Sequence, residues 1–156
     1  MTLVVERVSE ATAEVRVLLR ELDDELSANY SAEQRHGLAV ARLFTPDVTF
    51  FVVRLGGEAI GCGGIAFYDG FAELKRMFVR KANRGQGAIQ ALLACLEAEA
   101  AVRSYQRITL ETGDAQAAAI RAYKRAGYAP CAAFGTYLTL GAFAIERSVF
   151  LEKRIS

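Results

Sequence analysis

The chain opens on an alternation, TLVVERV over residues 2–8, that suits an edge strand. Ser9 follows where a helix N-cap would stand, with acids and apolar residues after it, so the pattern predicts a helix from about 10 to 27. Asn29-Tyr30-Ser31 interrupts it, and Ser31 with Gln34 three residues on has the form of a capping box for a second helix to about 43, closed by Thr45-Pro46-Asp47. VTFFVVRL (48–55) is β-branched and aromatic, Gly56-Gly57 signals a tight turn, and EAIGCGGIAFY returns as the second arm of a hairpin. Asp69-Gly70 turns the chain into a third antiparallel strand, FAELKRMFV (71–79), whose period of two places Phe71, Glu73, Lys75, Met77 and Val79 on one face.

From residue 88 the period changes. Ile89, Leu92, Leu93, Leu96 and Ala100 recur at helical spacing while Gln90, Glu97, Glu99 and Arg103 fall off that stripe, which describes a helix packed on a sheet. RITLET (107–112) predicts a strand, QAAAIRAYKRA (116–126) a helix with Gly127 at its C-cap, and Tyr128–Cys131 and SVFLEKRI two further strands. This order is α/β with a mixed sheet. The strands at 71–79 and 107–112 are joined by a crossover helix, so they run parallel with a right-handed connection. The glycines Gly85 and Gly87 then lie at the carboxyl end of the first parallel strand, at the mouth of the helix.

Composition narrows the function. A chain of 156 residues, 53% hydrophobic and 24% charged with two prolines and no internal repeat, reads as one domain over 1–156. Its 19 Lys+Arg against 18 Asp+Glu leave no broad cationic field, which argues against a nucleic-acid partner and restricts any basic site to a local one. Cys62, Cys95 and Cys131 form no CxxC pair, so neither a disulfide framework nor a zinc site is expected, and Cys95 falls near the apolar stripe of its helix as a small hydrophobe. There is no signal-peptide pattern and no apolar run of 18 residues, so no membrane partner is expected and the reading is of a soluble cytoplasmic protein.

A helix N-terminus presents unsatisfied N–H groups and a partial positive charge, and it binds phosphate where the preceding loop lets the ligand approach. Gly85 and Gly87 remove side chains from that approach, and Arg80, Lys81 and Arg84 add cations, a set that favours a diphosphate. The plain alternative is a glycine turn with a solvated basic rim. A Walker loop would need GK[ST] and a Rossmann loop GxGxxG with a later acid; the loop here reads RGQGAI, so a dinucleotide-binding domain fits poorly.

The stretch RGQGAIQALL, after a strand ending MFV, resembles the acyl-CoA pyrophosphate loop of the GNAT superfamily of N-acetyltransferases, written [QR]-x-x-G-x-[GA]. In one register Arg84 leads, Gly87 is the glycine and Ile89 stands where the pattern has Gly or Ala; in the other Ala82 leads and Gly85 and Gly87 take the glycine positions. AELKRMFV, ITLETG and QAAAIRAYKRAGY resemble the neighbouring elements of the same superfamily, and the likeness spans nearly the whole chain. It implies a GNAT-like mixed, mostly antiparallel sheet with a central parallel strand pair and helices on both faces. It also implies acetyl-CoA as co-substrate, no metal, and a small-molecule or peptide amine as acceptor. Residues 84–89, that is Arg84, Gly85, Gln86, Gly87, Ala88 and Ile89, would meet the diphosphate.

Acetyl transfer needs a neutral amine, and a lysine-like amine of pKa near 10.4 is only roughly 0.04% neutral at pH 7. The resemblance assigns the general base to Glu73, whose burial in a sheet would suit proton abstraction; the alternative is a surface Glu paired with Lys75. It assigns Tyr123 to the departing thiolate, against a core tyrosine joining helix to sheet. Backbone groups of Met77, Phe78 and Val79 can pair with a pantetheine arm as though it were an added strand, where the two parallel strands splay. Gln116 either bonds that arm or caps its helix. His36, within the second predicted helix, reads as a surface or acceptor-pocket histidine, and Asp23, Asp24 and Glu25 as a solvated acidic face. The two N-terminal helices and the 133–146 segment would contact the acceptor, and apolar surface on the last strands would make a homodimer plausible. The rival reading is a CoA-binding or sensor module of the same fold without turnover, for which Ile89 argues.

Overall fold

The computed structural model describes residues 2–155. Its strands are β1 (Leu3–Val8), β2 (Val48–Leu55), β3 (Glu58–Tyr68), β4 (Phe71–Val79), β5 (Arg107–Gly113), β6 (Ala129–Pro130) and β7 (Ser148–Arg154). The helices are α1 (Ala13–Ser27), α2 (Val40–Leu43), α3 (Ala88–Val102), α4 (Ala117–Arg125) and α5 (Ala142–Ile145). One seven-stranded sheet runs in the order β1-β2-β3-β4-β5-β7-β6, antiparallel throughout except for the parallel pair β4–β5. The mixed sheet, the parallel pair and the crossover helix are as the periodicities predict.

Alternation along the strands feeds two separate cores. Phe50 and Val52 point to one face, where Val15, Leu18, Leu19 and Leu22 of α1 and Leu43 of α2 bury against them. Phe51 and Val53 point to the other, packed with Leu92, Leu93 and Leu96 of α3 and Tyr123 of α4. Each helix therefore covers the sheet with one apolar stripe.

Two N-terminal expectations change. The first helix starts at Ala13 because Thr12, not Ser9, is its cap: the Thr12 hydroxyl accepts the Val15 amide at 3.2 Å. The second helix shrinks to a single 3-10 turn, Ala32–Gln34, and the short α2. Ser31 donates its hydroxyl to the Gln34 side chain at 3.3 Å and caps no amide. Residues 35–39 stay non-helical for two reasons: Gly37 disfavours a helix, and tertiary partners claim the segment. The His36 carbonyl accepts from Lys75 Nζ at 3.2 Å, and His36 Nε2 meets the Ala144 carbonyl at 2.7 Å.

The third correction positions the site. Cys62 pairs with Phe78 and Gly64 with Lys75, so Arg76 and Met77 together face Gly63: a β-bulge, with Arg76 at φ 58°. The bulge resets the alternation. Glu73 and Lys75 remain on the α1 face, whereas Met77 and Val79 turn to the α3 core, so the five residues predicted to share a face divide between two. Past the bulge, Gly61 opposes Val79, and a Cβ on Gly61 would lie 2.6 Å from the Phe78 carbonyl oxygen. Because backbone cannot yield as a side-chain tip can, Gly61→Ala is expected to cost about 1–3 kcal/mol, read as a lower urea midpoint at unchanged m-value.

Candidate acyl-transfer site

β4 and β5 pair only through Ala72–Ile108, Glu73–Thr109 and Leu74–Leu110. Pairing ends just ahead of the bulge, and the two strands diverge. The β5-facing backbone of Lys75 to Val79 is left without a strand partner, which is the open edge expected for Met77, Phe78 and Val79. A cavity of about 890 Å³ fills the divergence. It runs from the glycine loop, past the open edge, to Arg35, His36 and Tyr137.

At one end lies the N-terminus of α3. Gly87 is its N-cap at φ 88°, ψ 7°, a left-handed conformation that penalises any Cβ, and Gly85 is at φ 80°. The first backbone bond into this helix runs from the Ala91 amide to the Gly87 carbonyl. Among the described residues none accepts a hydrogen bond from the amides of Gly85 to Gln90. These are the orphan donors that an anion satisfies at a helix N-terminus. Ile89 packs its side chain against the α3-side core while also reaching the cavity wall.

The arginines around this loop are more committed than the sequence suggests. Arg80 bonds Glu21 at 3.0 Å and Glu58 at 3.3 Å. Arg84 pairs with Glu25 at 2.8 Å and donates Nε to the Val79 carbonyl at 2.9 Å, and Arg76 pairs with Asp23 at 2.7 Å. Two of the three acids expected to form a solvated face, Asp23 and Glu25, thus bridge α1 to β4 and its loop.

In the middle of the cavity sits a buried polar cluster. Glu73 is 4% exposed and Lys75 9%, joined by an ion pair of 3.0 Å. The Tyr137 hydroxyl donates to Glu73 Oε2 at 2.7 Å and accepts from Lys75 Nζ at 3.1 Å. Burial, and then the Glu73 charge, push the Tyr137 phenol far above its ordinary range, so it stays a donor to that carboxylate. The His36 ring stands edge-on to Tyr137, with centroids 5.4 Å apart. Glu73 is therefore both deeply buried and paired with Lys75, where the sequence offered a buried base or a surface pair as alternatives.

Across from this cluster on β5, Glu111 accepts the Ser148 hydroxyl at 2.6 Å. Burial raises the Glu111 carboxyl above its usual value, and the Glu73 charge adds to this; the Ser148 bond and the neighbouring His36 and Lys75 act the other way. Tyr123, 4% exposed, borders the cavity from α4, with its phenol raised by burial alone. Gln116 also reaches the cavity and makes no side-chain cap bond, which removes the capping alternative. Gln86, exposed in the loop, stays off the wall, as do the basic residues Arg80 and Lys81.

Sequence reasoning placed the 133–146 segment at the acceptor but singled out neither Tyr137 within it nor Glu111. Glu111 belongs to a strand whose period alone gives it no role, and Tyr137 sits 64 residues from Glu73 in a segment with no regular period. Cys62 needs no chemistry: burial lifts its thiol to about 12, and its Sγ donates to the Arg76 carbonyl of the bulge at 3.5 Å. Leu138, Leu140 and Phe143 are exposed in the segment between β6 and β7. Among the described residues no helix is long and apolar enough to cross a membrane, and no cluster of three His, Cys, Asp or Glu side chains is placed for a metal.

Comparison with known proteins agrees with this geometry. The model of the acetyltransferase (GNAT) family matches residues 16–128. An IAA acetyltransferase of Azospirillum brasilense is 40% identical over 122 residues, 77% of this chain and 80% of that protein. A Klebsiella pneumoniae structure assigned as an acyl-CoA N-acyltransferase is 33% identical, covers 99% of both chains and superposes with a TM-score of 0.84. A PaiA N-acetyltransferase of Thermoplasma acidophilum, solved in complex with coenzyme A, shares the fold at 14% identity, 99% coverage of both chains and a TM-score of 0.73.

The raised Glu111 value has a definite sign for stability. Folding favours the protonated carboxyl, so its contribution is complete below the unfolded value near 4.3 and is lost as pH climbs through the higher folded value. Glu111→Gln, which keeps an acceptor for Ser148, is expected to gain in melting temperature relative to wild type as pH rises from 4 to 8. A gap that stays constant or narrows over that range would show that Glu111 is not held against ionisation.

Proposed function

Since this chain belongs to the GNAT acetyltransferase family, a family of acyl-CoA-dependent transferases, we propose that it transfers an acetyl group from acetyl-CoA to a primary amine of a small molecule or peptide by direct attack. The observation that carries this reading is the divergence of β4 and β5, which puts orphan amides, an open strand edge, Glu73 and Tyr123 on one cavity.

The residues present fit CoA. Orphan amides from Gly85 to Gln90 would hold the diphosphate, helped by Arg84 once it turns from Glu25. The unpaired backbone of Met77, Phe78 and Val79 would bond the pantetheine arm as a neighbouring strand does, with Gln116 on the opposite wall. Ile89 spends its side chain on the core, which leaves the backbone side of the helix mouth open. When bound, acetyl-CoA supplies the thioester that the amine attacks and the thiol that leaves.

Glu73 takes the amine's proton, directly or through water, in this reading. Lys75 and Tyr137 fix its carboxylate, and they share one oxygen, Oε2, so the other is free of those two bonds. Tyr123 acts as a hydrogen-bond donor to the departing sulfur. Its buried phenol is a weaker acid than a thiol, so it stabilises the developing charge without surrendering its proton outright. The competing reading, a CoA-binding module without turnover, is favoured by one observation: the candidate base is held in an ion pair.

Thiol release from acetyl-CoA over a panel of primary amines tests both. Glu73→Gln is expected to lower kcat/KM by about 10²–10⁴-fold and Tyr123→Phe by about 10²-fold, with CoA affinity by calorimetry retained. Turnover that neither substitution slows would sink the residue roles, and CoA binding without turnover would select the sensor.

A further inference from the structure

Among the described residues, Arg35 on the cavity wall forms no ion pair. Arg35 lies on the extended segment after the 3-10 turn, at φ −106°, ψ 127°, and borders the cavity at the end away from the glycine loop. Its Nε is buried without a hydrogen-bond partner, and among the described residues no carboxylate, carbonyl or hydroxyl meets its guanidinium. The neighbouring cations are all matched: Lys75 by Glu73, Arg76 by Asp23, Arg84 by Glu25. Glu111, the other carboxylate lining this end among the described residues, accepts the Ser148 hydroxyl.

The segment carrying Arg35 is also held in place. Gln34 Nε2 donates to the Phe143 carbonyl at 3.2 Å, and His36 Nε2 meets the Ala144 carbonyl at 2.7 Å. Residues on both sides of Arg35 are thus anchored to α5, which fixes the backbone beneath an unmatched side chain. A planar guanidinium is suited to a two-pronged bond with a carboxylate, and leaving part of it buried and unbonded is costly until such a partner arrives.

We propose that Arg35 is the receptor for a carboxylate on the acceptor, so that the preferred substrates are small amines that also carry a carboxylate group. This rests on the amine-acetylating reading of the same cavity. The amine is presented to Glu73 while the carboxylate is taken up by Arg35, and the acceptor thereby spans the region bounded by Lys75 and Tyr137.

The test compares benzylamine and phenethylamine with 4-(aminomethyl)benzoate and phenylalanine, using wild type, Arg35→Gln and Arg35→Lys. Wild type should favour the carboxylated amines by about 10- to 100-fold in kcat/KM, the range for a charge-assisted bond. Arg35→Gln should erase that preference through KM, leaving kcat, the KM for acetyl-CoA and the neutral amines unchanged, and Arg35→Lys should restore part of it. Because Arg35 has no partner to lose, the melting temperature of Arg35→Gln should not fall.

Calorimetry with 4-(aminomethyl)benzoate in the presence of CoA reads the receptor without turnover. Weaker binding to Arg35→Gln by the same factor supports it. Equal binding to both proteins, or none to either, overturns it, as does a higher KM for acetyl-CoA in Arg35→Gln, which would assign the guanidinium to CoA. Arg35-dependent binding without turnover of any amine would sink the acetyl-transfer reading and leave the carboxylate receptor standing.

Discussion

The bulge at Arg76–Met77 is the constraint on which the rest of the molecule turns. A regular β4 would keep its ladder with β5 to the end and would leave no gap between parallel strands. Two residues opposite Gly63 bend the strand instead, and the ladder stops at Leu74. The same irregularity changes which face each side chain serves. Before it, Glu73 and Lys75 look toward the N-terminal helices; after it, Met77 and Val79 join the α3 core. Opening the edge and placing the carboxylate are therefore one structural event. Arg76 adopts a positive φ that few side chains favour, and its ion pair with Asp23 and the Cys62 thiol on its carbonyl hold it there.

Burying Glu73 beside Lys75 and Tyr137 costs desolvation that a single ion pair seldom recovers. The three groups satisfy one another, which makes them stiff, and stiffness is what a proton acceptor needs to meet a substrate in one geometry. The more exposed bridges from α1 to Arg80 and Arg84, and that from Asp23 to the buried Arg76, are of another kind. The exposed pairs contribute little to stability, yet together the three orient α1 over the cavity and lay its acids against the basic loop.

Much of this was legible in the residue pattern, and the failures have physical reasons. Strong periodicity located β2, β3, β4 and α3 almost to the residue, because a half-buried face imposes its period on the sequence. The glycine loop was legible because Gly85 and Gly87 occupy conformations that other residues avoid. The second helix failed because Ser31 and Gln34 carry a local signal, whereas the fate of residues 35–39 is decided by Lys75 and Ala144, far along the chain. The bulge failed because KRMFV alternates plausibly in the regular register; nothing local reveals that Gly63 would be faced by two residues. Glu111 and Tyr137 were hidden for the same reason, since only the closed sheet brings them to Glu73.

The far edge of the sheet has a consequence for assembly. The strand there is only Ala129–Pro130, antiparallel to β7. A proline has no amide hydrogen to offer a newcomer, and a two-residue strand presents almost no template on which foreign chains could stack. Growth of ordered fibrils or of a sheet continued through a second molecule is discouraged on that side.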